Sequence, residues 1–328
     1  MSHIPDFFPD RVHDKLFETQ EGDLCLCLDE DWPALLASLG QLGPVTLISR
    51  STQMSLLSSS QQLDFAPVPG STEILDLHSS LCLETGALGP VIARYDRQTG
   101  RPGIHFYDRE GKVILQVMLP PDGDPEGFVQ LVGLYAKELL STGNGPGFRS
   151  ARSQMTAHHS TTLPADEMDG LHEAWPSFDP ASGGDLLPGT RGVGWLHALR
   201  MAGGGRALFL TKSGMIKAAL AAYYGLIPLR ITAWTGGLYH QAGVLPRRME
   251  RCAKCVHLLD IGSGFHFLFG AEMEIWAGFH GRNSVPAIHI FSTEGHRHGL
   301  LEFAGQPHER DAWNRAVREA AGITRNVL

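Results

Sequence analysis

Lysine is scarce in this 328-residue chain: only six of its 27 basic residues are lysines, and they never cluster. With 35 acidic residues the net charge is −8. Broad binding to nucleic acid needs a basic stripe that displaces counterions from phosphates, and the sequence has none. Long apolar runs are missing as well. None approaches the roughly 20 residues that cross a bilayer. The opening MSHIPDFFPDRVHD lacks the basic-then-apolar order of a secretory leader. Cysteines number five, an odd count that, without export signals, points to reduced thiols in a cytoplasm. Charged residues make up 19% against 43% hydrophobic, which excludes a disordered acidic protein and a coiled coil. There is no G-x-S-x-G elbow, Walker A loop or H-E-x-x-H pair. A chain this long buries enough surface to fold without disulfides or metals.

What is present begins with histidine, 16 in all, beside a basic complement that is mostly arginine. Arginine's fork suits carboxylates and neutral imidazole suits transition metals. The same bias follows from a GC-rich genome, so composition raises an anionic, metal-bearing ligand without deciding for it.

The clearest pattern is an internal repeat. Ile104 to Gly111 reads IHFYDREG and Ile288 to Gly295 reads IHIFSTEG, 184 positions apart (288 − 104). Each copy predicts a β-hairpin with a Glu-Gly turn, followed by a helix. The first helix starts near Pro125 with Phe128, Leu131, Leu134 and Tyr135 inward. The second starts near Glu309 with Trp313 and Val317 inward. Upstream, a helix opened by Asp31 and Pro33 leads into Leu42 to Ile48, and a helix over 213–224 leads into Ile227 to Trp234. The fold class this predicts is α+β, two tandem repeats, each a large antiparallel β-sheet with flanking helices. Residues 1–140 form the first repeat and 171–328 the second. The Ser-, Gly- and Pro-rich stretch 141–170, with GNGPG and His158-His159, reads as a linker.

Several motifs are weaker than they look. Cys252-Ala253-Lys254-Cys255-Val256-His257 is one residue too long for covalent haem attachment. It also lacks the second pair a zinc site needs, so half-buried reduced thiols are expected. His296-Arg297-His298 follows a hairpin glycine, where side chains are usually solvated. Gly203-Gly204-Gly205-Arg206 reads as a loop. Asp76-Leu77-His78 and Phe265-His266-Phe267-Leu268 are placed on corresponding strands of the two halves. A lone strand histidine is more often structural, but two at equivalent places suggest a shared pocket-facing position.

Over nearly its whole length the sequence resembles the HemS/ChuS family of bacterial haem-utilisation proteins, the haemin-degrading factors, to which ChuX and HutX are related. Phe265 to Phe269 with Trp276 resembles its F-N-L-H-L…A-W segment, and Ile288 to Gly295 its S-L-E-L-F-D-x-x-G hairpin. Phe303 to Trp313 resembles F-G-x-x-x-P…A-W, and Leu196 to Arg200 resembles L-Q-A-L-R. Leu42 to Val45 and Phe106 to Gly111 match in the first half. The resemblance implies two tandem repeats and cytoplasmic haem binding after import, with transfer to a partner or ring opening to release iron. Haem iron is held there by an axial histidine, and propionates by arginine or lysine.

The departures rewrite that ligand set. The family's axial histidine in D-V-H-x-F falls here at Ala181 or Ser182. Its D-L-R arginine, facing the distal side of haem, is His78, and the lysine after its tryptophan is His280. The residues flanking its late glycine are Ala304 and Pro307, and its R-N…H-E-R-x-G segment leaves only Arg50. The resemblance therefore points to non-covalent haem, with His78 as candidate iron ligand, His266 second, and His280 nearer a propionate. Partners would be haem, a haem importer or a haem-degrading enzyme, with no nucleic acid and no membrane span. Ring-opening activity is left open. The rival reading is a scaffold that has lost haem and serves as a non-enzymatic binding or regulatory protein.

Overall fold

The computed structural model describes residues 24–29, 31–96, 101–140, 165–181, 185–187, 193–203, 205–280 and 285–322. Positions 141–164 of the expected linker, with GNGPG and His158-His159, lie outside these residues, as do Ser182 and Gly204. The chain divides into two compact units. One comprises Met1–Ser51, Leu57–Ser153 and Thr235–His240, the other Thr52–Leu56, Gln154–Trp234 and Gln241–Leu328.

The first unit runs β1 (Leu24–Leu28), α1 (Trp32–Leu39), β2 (Val45–Arg50), β3 (Met54–Ser60), β4 (Phe65–Pro67), β5 (Glu73–Asp76), β6 (Leu81–Glu84), β7 (Leu88–Asp96), β8 (Arg101–Asp108), β9 (Val113–Met118), α2 (Pro125–Tyr135) and β10 (Ala136–Leu140). By the bounds above, Met54–Leu56 of β3 count with the other unit. The main sheet is antiparallel in the order β10–β1–β7–β8–β9–β2. Pro33 near its start seeds α1, which buries Leu35, Leu36 and Leu39. Asp124 caps α2 by accepting the Glu126 and Gly127 N–H groups, each at 3.0 Å. That helix buries Phe128, Leu131 and Val132. Leu134, expected inward, is exposed, because it stands six residues after Phe128 and so on the far side of a 3.6-residue turn.

The second unit runs α3 (Ala165–Ala174), α4 (Trp195–Met201), β11 (Ala207–Leu210), α5 (Lys212–Tyr224), β12 (Leu229–Thr235), β13 (Leu238–Val244), β14 (Arg248–Arg251), β15 (Cys255–Leu259), β16 (Ser263–Leu268), β17 (Met273–His280), β18 (Val285–Ser292), β19 (Arg297–Phe303) and α6 (Arg310–Ala320). Leu238–His240 of β13 count with the first unit. Its main sheet has the order β11–β17–β18–β19–β12. Trp313 and Val317 of α6 point inward, and the Trp313 indole donates to the Pro286 carbonyl at 2.9 Å.

The repeat seen in sequence is a repeat of register. In the first unit Ile92 lies opposite His105, and Thr46 opposite Met118. In the second, Trp276 lies opposite His289 and Arg230 opposite Glu302. Every one of these residues is displaced by the same 184 positions. The hairpin glycines match as well: Gly111 has φ 81° and Gly295 φ 95°, a left-handed backbone that only glycine adopts without strain. Each donates its N–H to a carbonyl three residues back, Asp108 and Ser292, at 3.0 Å. The fold is α+β, built from two units that each carry a large antiparallel sheet and flanking helices.

One expectation fails. Cys25, Cys27 and Cys82 stand outside any disulfide, but Cys252 and Cys255 form one. Only Ala253 and Lys254 separate them, and the Cys252 N–H donates to the Cys255 carbonyl at 3.1 Å. This tight turn sets the two cysteines face to face, with Cα atoms 5.0 Å apart.

Candidate functional site

His78 is not on a strand. β5 ends at Asp76, whose buried carboxylate accepts the Asp64 and Ser79 N–H groups, both at 2.6 Å. Ser80 closes the turn with φ 50°. Between them Leu77 and His78 are exposed, Leu77 to 59%. His266 does lie on a strand, in the middle of β16, buried and opposite His257 of β15. The two rings meet edge to face, with centroids 4.2 Å apart. The expected equivalence of His78 and His266 is therefore wrong: one tops a turn before β6, and the other is a buried cross-strand partner. The braced carboxylate of Asp76 ends the strand early.

His280, at the end of β17, belongs to a buried cluster in the second unit. Its ring stacks on Trp175 with centroids 4.8 Å apart and meets Trp195 edge-on at 5.5 Å. Its Nε2 lies 3.1 Å from Nε2 of His289. Arg297, expected in solvent, is buried to 3% exposure at the start of β19. Its guanidinium carbon lies 4.1 Å from the centre of Trp234 and 5.0 Å from that of Trp195. The bulged hairpin turns this side chain inward, where two indoles and the Pro180 carbonyl receive it.

Hydrogen-bond logic fixes the tautomers. A guanidinium only donates, so the Arg297 Nη2 bond of 3.2 Å makes His289 Nδ1 an acceptor. Neutral His289 then carries its proton on Nε2 and donates it to His280. His280 is left with a buried Nδ1–H that has no partner among the described residues. Both rings are held neutral. Burial, aided by the Arg297 charge, pushes His280 down to about 3. Burial, Arg297 and His280 together push His289 well below the usual histidine range. Gly278 completes the fit, since a Cβ there would strike the His280 ring.

The counterpart of His289 in the first unit is His105. It too is buried and neutral, pushed to about 3 by burial, with Arg94 and Arg50 contributing. Gln116 Nε2 lies 3.3 and 3.4 Å from its two ring nitrogens. Arg50 stands where Trp234 stands in the second unit, and its Nε and Nη1 have no partner among the described residues. The histidines at equivalent places are thus His105 and His289. The repeated Ile-His pair held that signal, while Trp175 entered only as a match to the family's A-W pair, Arg297 only as part of a solvated turn, and Trp195 not at all.

A cavity in the second unit has a volume of about 510 Å³ and is lined by Phe209, Lys212, Lys254, Phe269, Met273 and Ile275, among others. None of the three expected histidines lines it. Among the described residues no cluster of three His, Cys, Asp or Glu side chains is set to hold a metal ion. No helix among them is long and apolar enough to cross a membrane.

Two antiparallel sheets repeated in this register, with helices at matching places, define the HemS/ChuS-like fold. Two solved proteins share it in particular. The chain matches PhuS, a haem-binding protein from Pseudomonas aeruginosa, with a TM-score of 0.69 and 19% identity, covering 90% of this chain and 86% of that one. It matches ChuS, described as an Escherichia coli haem oxygenase, with a TM-score of 0.68 and 14% identity over 90% and 88%. No family model and no curated protein matches the sequence.

Proposed function

We propose that this chain is a cytoplasmic haem-binding protein that carries haem and hands it on, with His78 as the iron ligand. The observation that carries the reading is the turn at Leu77-His78: an exposed imidazole beside an exposed apolar side chain, on a loop braced by buried Asp76. Haem as cargo asks for an axial base, apolar surface and donors for its propionates. The shared fold supports haem as the ligand, because solved proteins with this fold are described as binding or degrading it. His280 suits a propionate better than iron, since its Nε2 lone pair already accepts from His289 and its Nδ1–H is a donor. His266 is the second choice for the metal. A haem importer upstream and a haem-degrading enzyme downstream are the partners this role requires.

Titrating the apo-protein with haemin tests the reading. A sharp Soret band should form at one equivalent and convert to a weakly held high-spin spectrum in His78→Ala. Only the broad free-haemin spectrum would sink it, and an unchanged spectrum in the variant would move the ligand to His266. Ring opening is not part of the proposal: with reductant, oxygen and catalase present, the Soret band should persist. The closed packing of His280 under Trp175 and Trp195, with alanine at position 181, favours a second reading, a non-enzymatic binding protein that has lost haem. Absence of any Soret shift would establish that one.

A further inference from the structure

The pair Cys252 and Cys255 stands outside the haem reading and has a chemistry of its own. The two-residue turn between β14 and β15 leaves Cys252 exposed and Cys255 buried. Such asymmetry gives one sulfur access to a solution partner and keeps the other in reserve. The Lys254 N–H points at Cys252 Sγ from 3.2 Å, a donor that favours a thiolate once the disulfide is reduced. Lys212, the first residue of α5, places its ammonium on the Ala253 carbonyl inside the same turn. Lys212 and Lys254 thus both stand at the turn that carries the pair. Both lysines also line the 510 Å³ cavity, with Phe209, Phe269 and Met273 as its apolar walls. Cys82 supplies the contrast: burial and the nearby Glu73 and Glu84 push its thiol up to about 11, so it is a poor nucleophile.

We infer that Cys252 and Cys255 form a reversible thiol–disulfide exchange site, served by the adjoining lysine-lined cavity, for a small anionic disulfide. In the forward step the Cys252 thiolate attacks one sulfur of the small disulfide. The S–S bond breaks, a mixed disulfide forms, and the first small thiolate leaves and takes a proton from water. Cys255, deprotonated in turn, attacks Cys252 Sγ and expels the second small thiol. The protein dithiol is oxidised to the disulfide, and the small disulfide is reduced to two thiols. The lysines hold the carboxylates of the small molecule, as a point charge can.

The test uses the full chain and glutathione disulfide as probe. Alkylation in denaturant followed by intact mass should count five thiols after reduction and three after oxidation, matching the five cysteines and the one disulfide, with the change reversible in mild glutathione buffers. Cys255→Ser should trap one glutathione on Cys252, at least tenfold faster than any adduct on Cys82, and Cys252→Ser should not. Lys212→Ala with Lys254→Ala should slow trapping severalfold with glutathione disulfide but little with neutral hydroxyethyl disulfide. A pair that stays oxidised or reduced at every poise overturns the proposal, as does equal trapping on Cys82. Equal slowing with both probes would overturn the role of the lysines.

Discussion

At the scale of single residues, packed histidines stand apart from exposed ones such as His78 and His308. His105, His240 and His280 are each pushed to about 3, chiefly by burial. His240 has both ring nitrogens satisfied, by Ser49 at 2.9 Å and Ser58 at 2.8 Å. A histidine whose folded value is depressed is protonated first in the unfolded chain. Its contribution is therefore complete above the ordinary value of about 6.5 and is lost as pH falls from there toward 3, roughly 1 kcal/mol per pH unit for each ring. The thermal midpoint should drop steeply between pH 7 and 5, and His105→Asn, which cannot titrate, should flatten the decline. A midpoint that holds constant over that range would mean these rings are not buried neutral. Arg297 is the companion case. Arg297→Ala removes the donor to His289 and empties the space between Trp195 and Trp234, at a cost of about 3 kcal/mol by urea unfolding. A loss under about 1 kcal/mol would show that the cage is not closed around the guanidinium.

Elements explain why some of the site was legible in sequence and some was not. The hairpins were readable because Glu-Gly turns and alternating apolar residues announce them locally, and the turn glycines keep one offset. Gly111→Ala and Gly295→Ala should each cost about 1 kcal/mol or more, and by similar amounts, because both sit at positive φ in the same turn. Unequal losses in thermal melts would deny that the two turns are equivalent. The turn at His78 was not readable, since its form depends on Asp76 bonding to Asp64, twelve residues back in the chain. Asp76→Ala leaves two backbone N–H groups without their acceptor, which should cost about 2–4 kcal/mol. If His78 holds iron, the same variant should also weaken haemin binding, whereas His105→Ala should leave the spectrum alone. Full haemin affinity in a destabilised Asp76→Ala protein would detach the turn from the ligand. The buried state of Arg297 was hidden for a related reason: a residue just past a hairpin glycine is exposed unless a bulge and distant aromatic side chains take it in.

For the molecule as a whole, duplication was legible and the division of labour between its copies was not. The four central strands of each unit share one register, so sequence alignment of the halves places β7, β8, β9 and β2 against β17, β18, β19 and β12. The residues on that frame have diverged: Arg50 stands where Trp234 stands, and its charge acts on His105, whereas Trp234 holds Arg297, which bonds His289; Asp96 stands where His280 stands. A duplicated frame with histidine at equivalent points would by itself suggest two equivalent ligand sites. Both histidines, however, are buried, neutral and already engaged, His105 by Gln116 and His289 by Arg297 and His280. His78 has no counterpart in the second unit, where β16 is preceded by the turn at Ile261-Gly262 instead. Haemin should therefore bind with one equivalent per chain, and a titration followed at the Soret band should break once. A second break at two equivalents, abolished by His105→Ala or His289→Ala, would show that the buried pair opens to metal and that the two units have kept the same task.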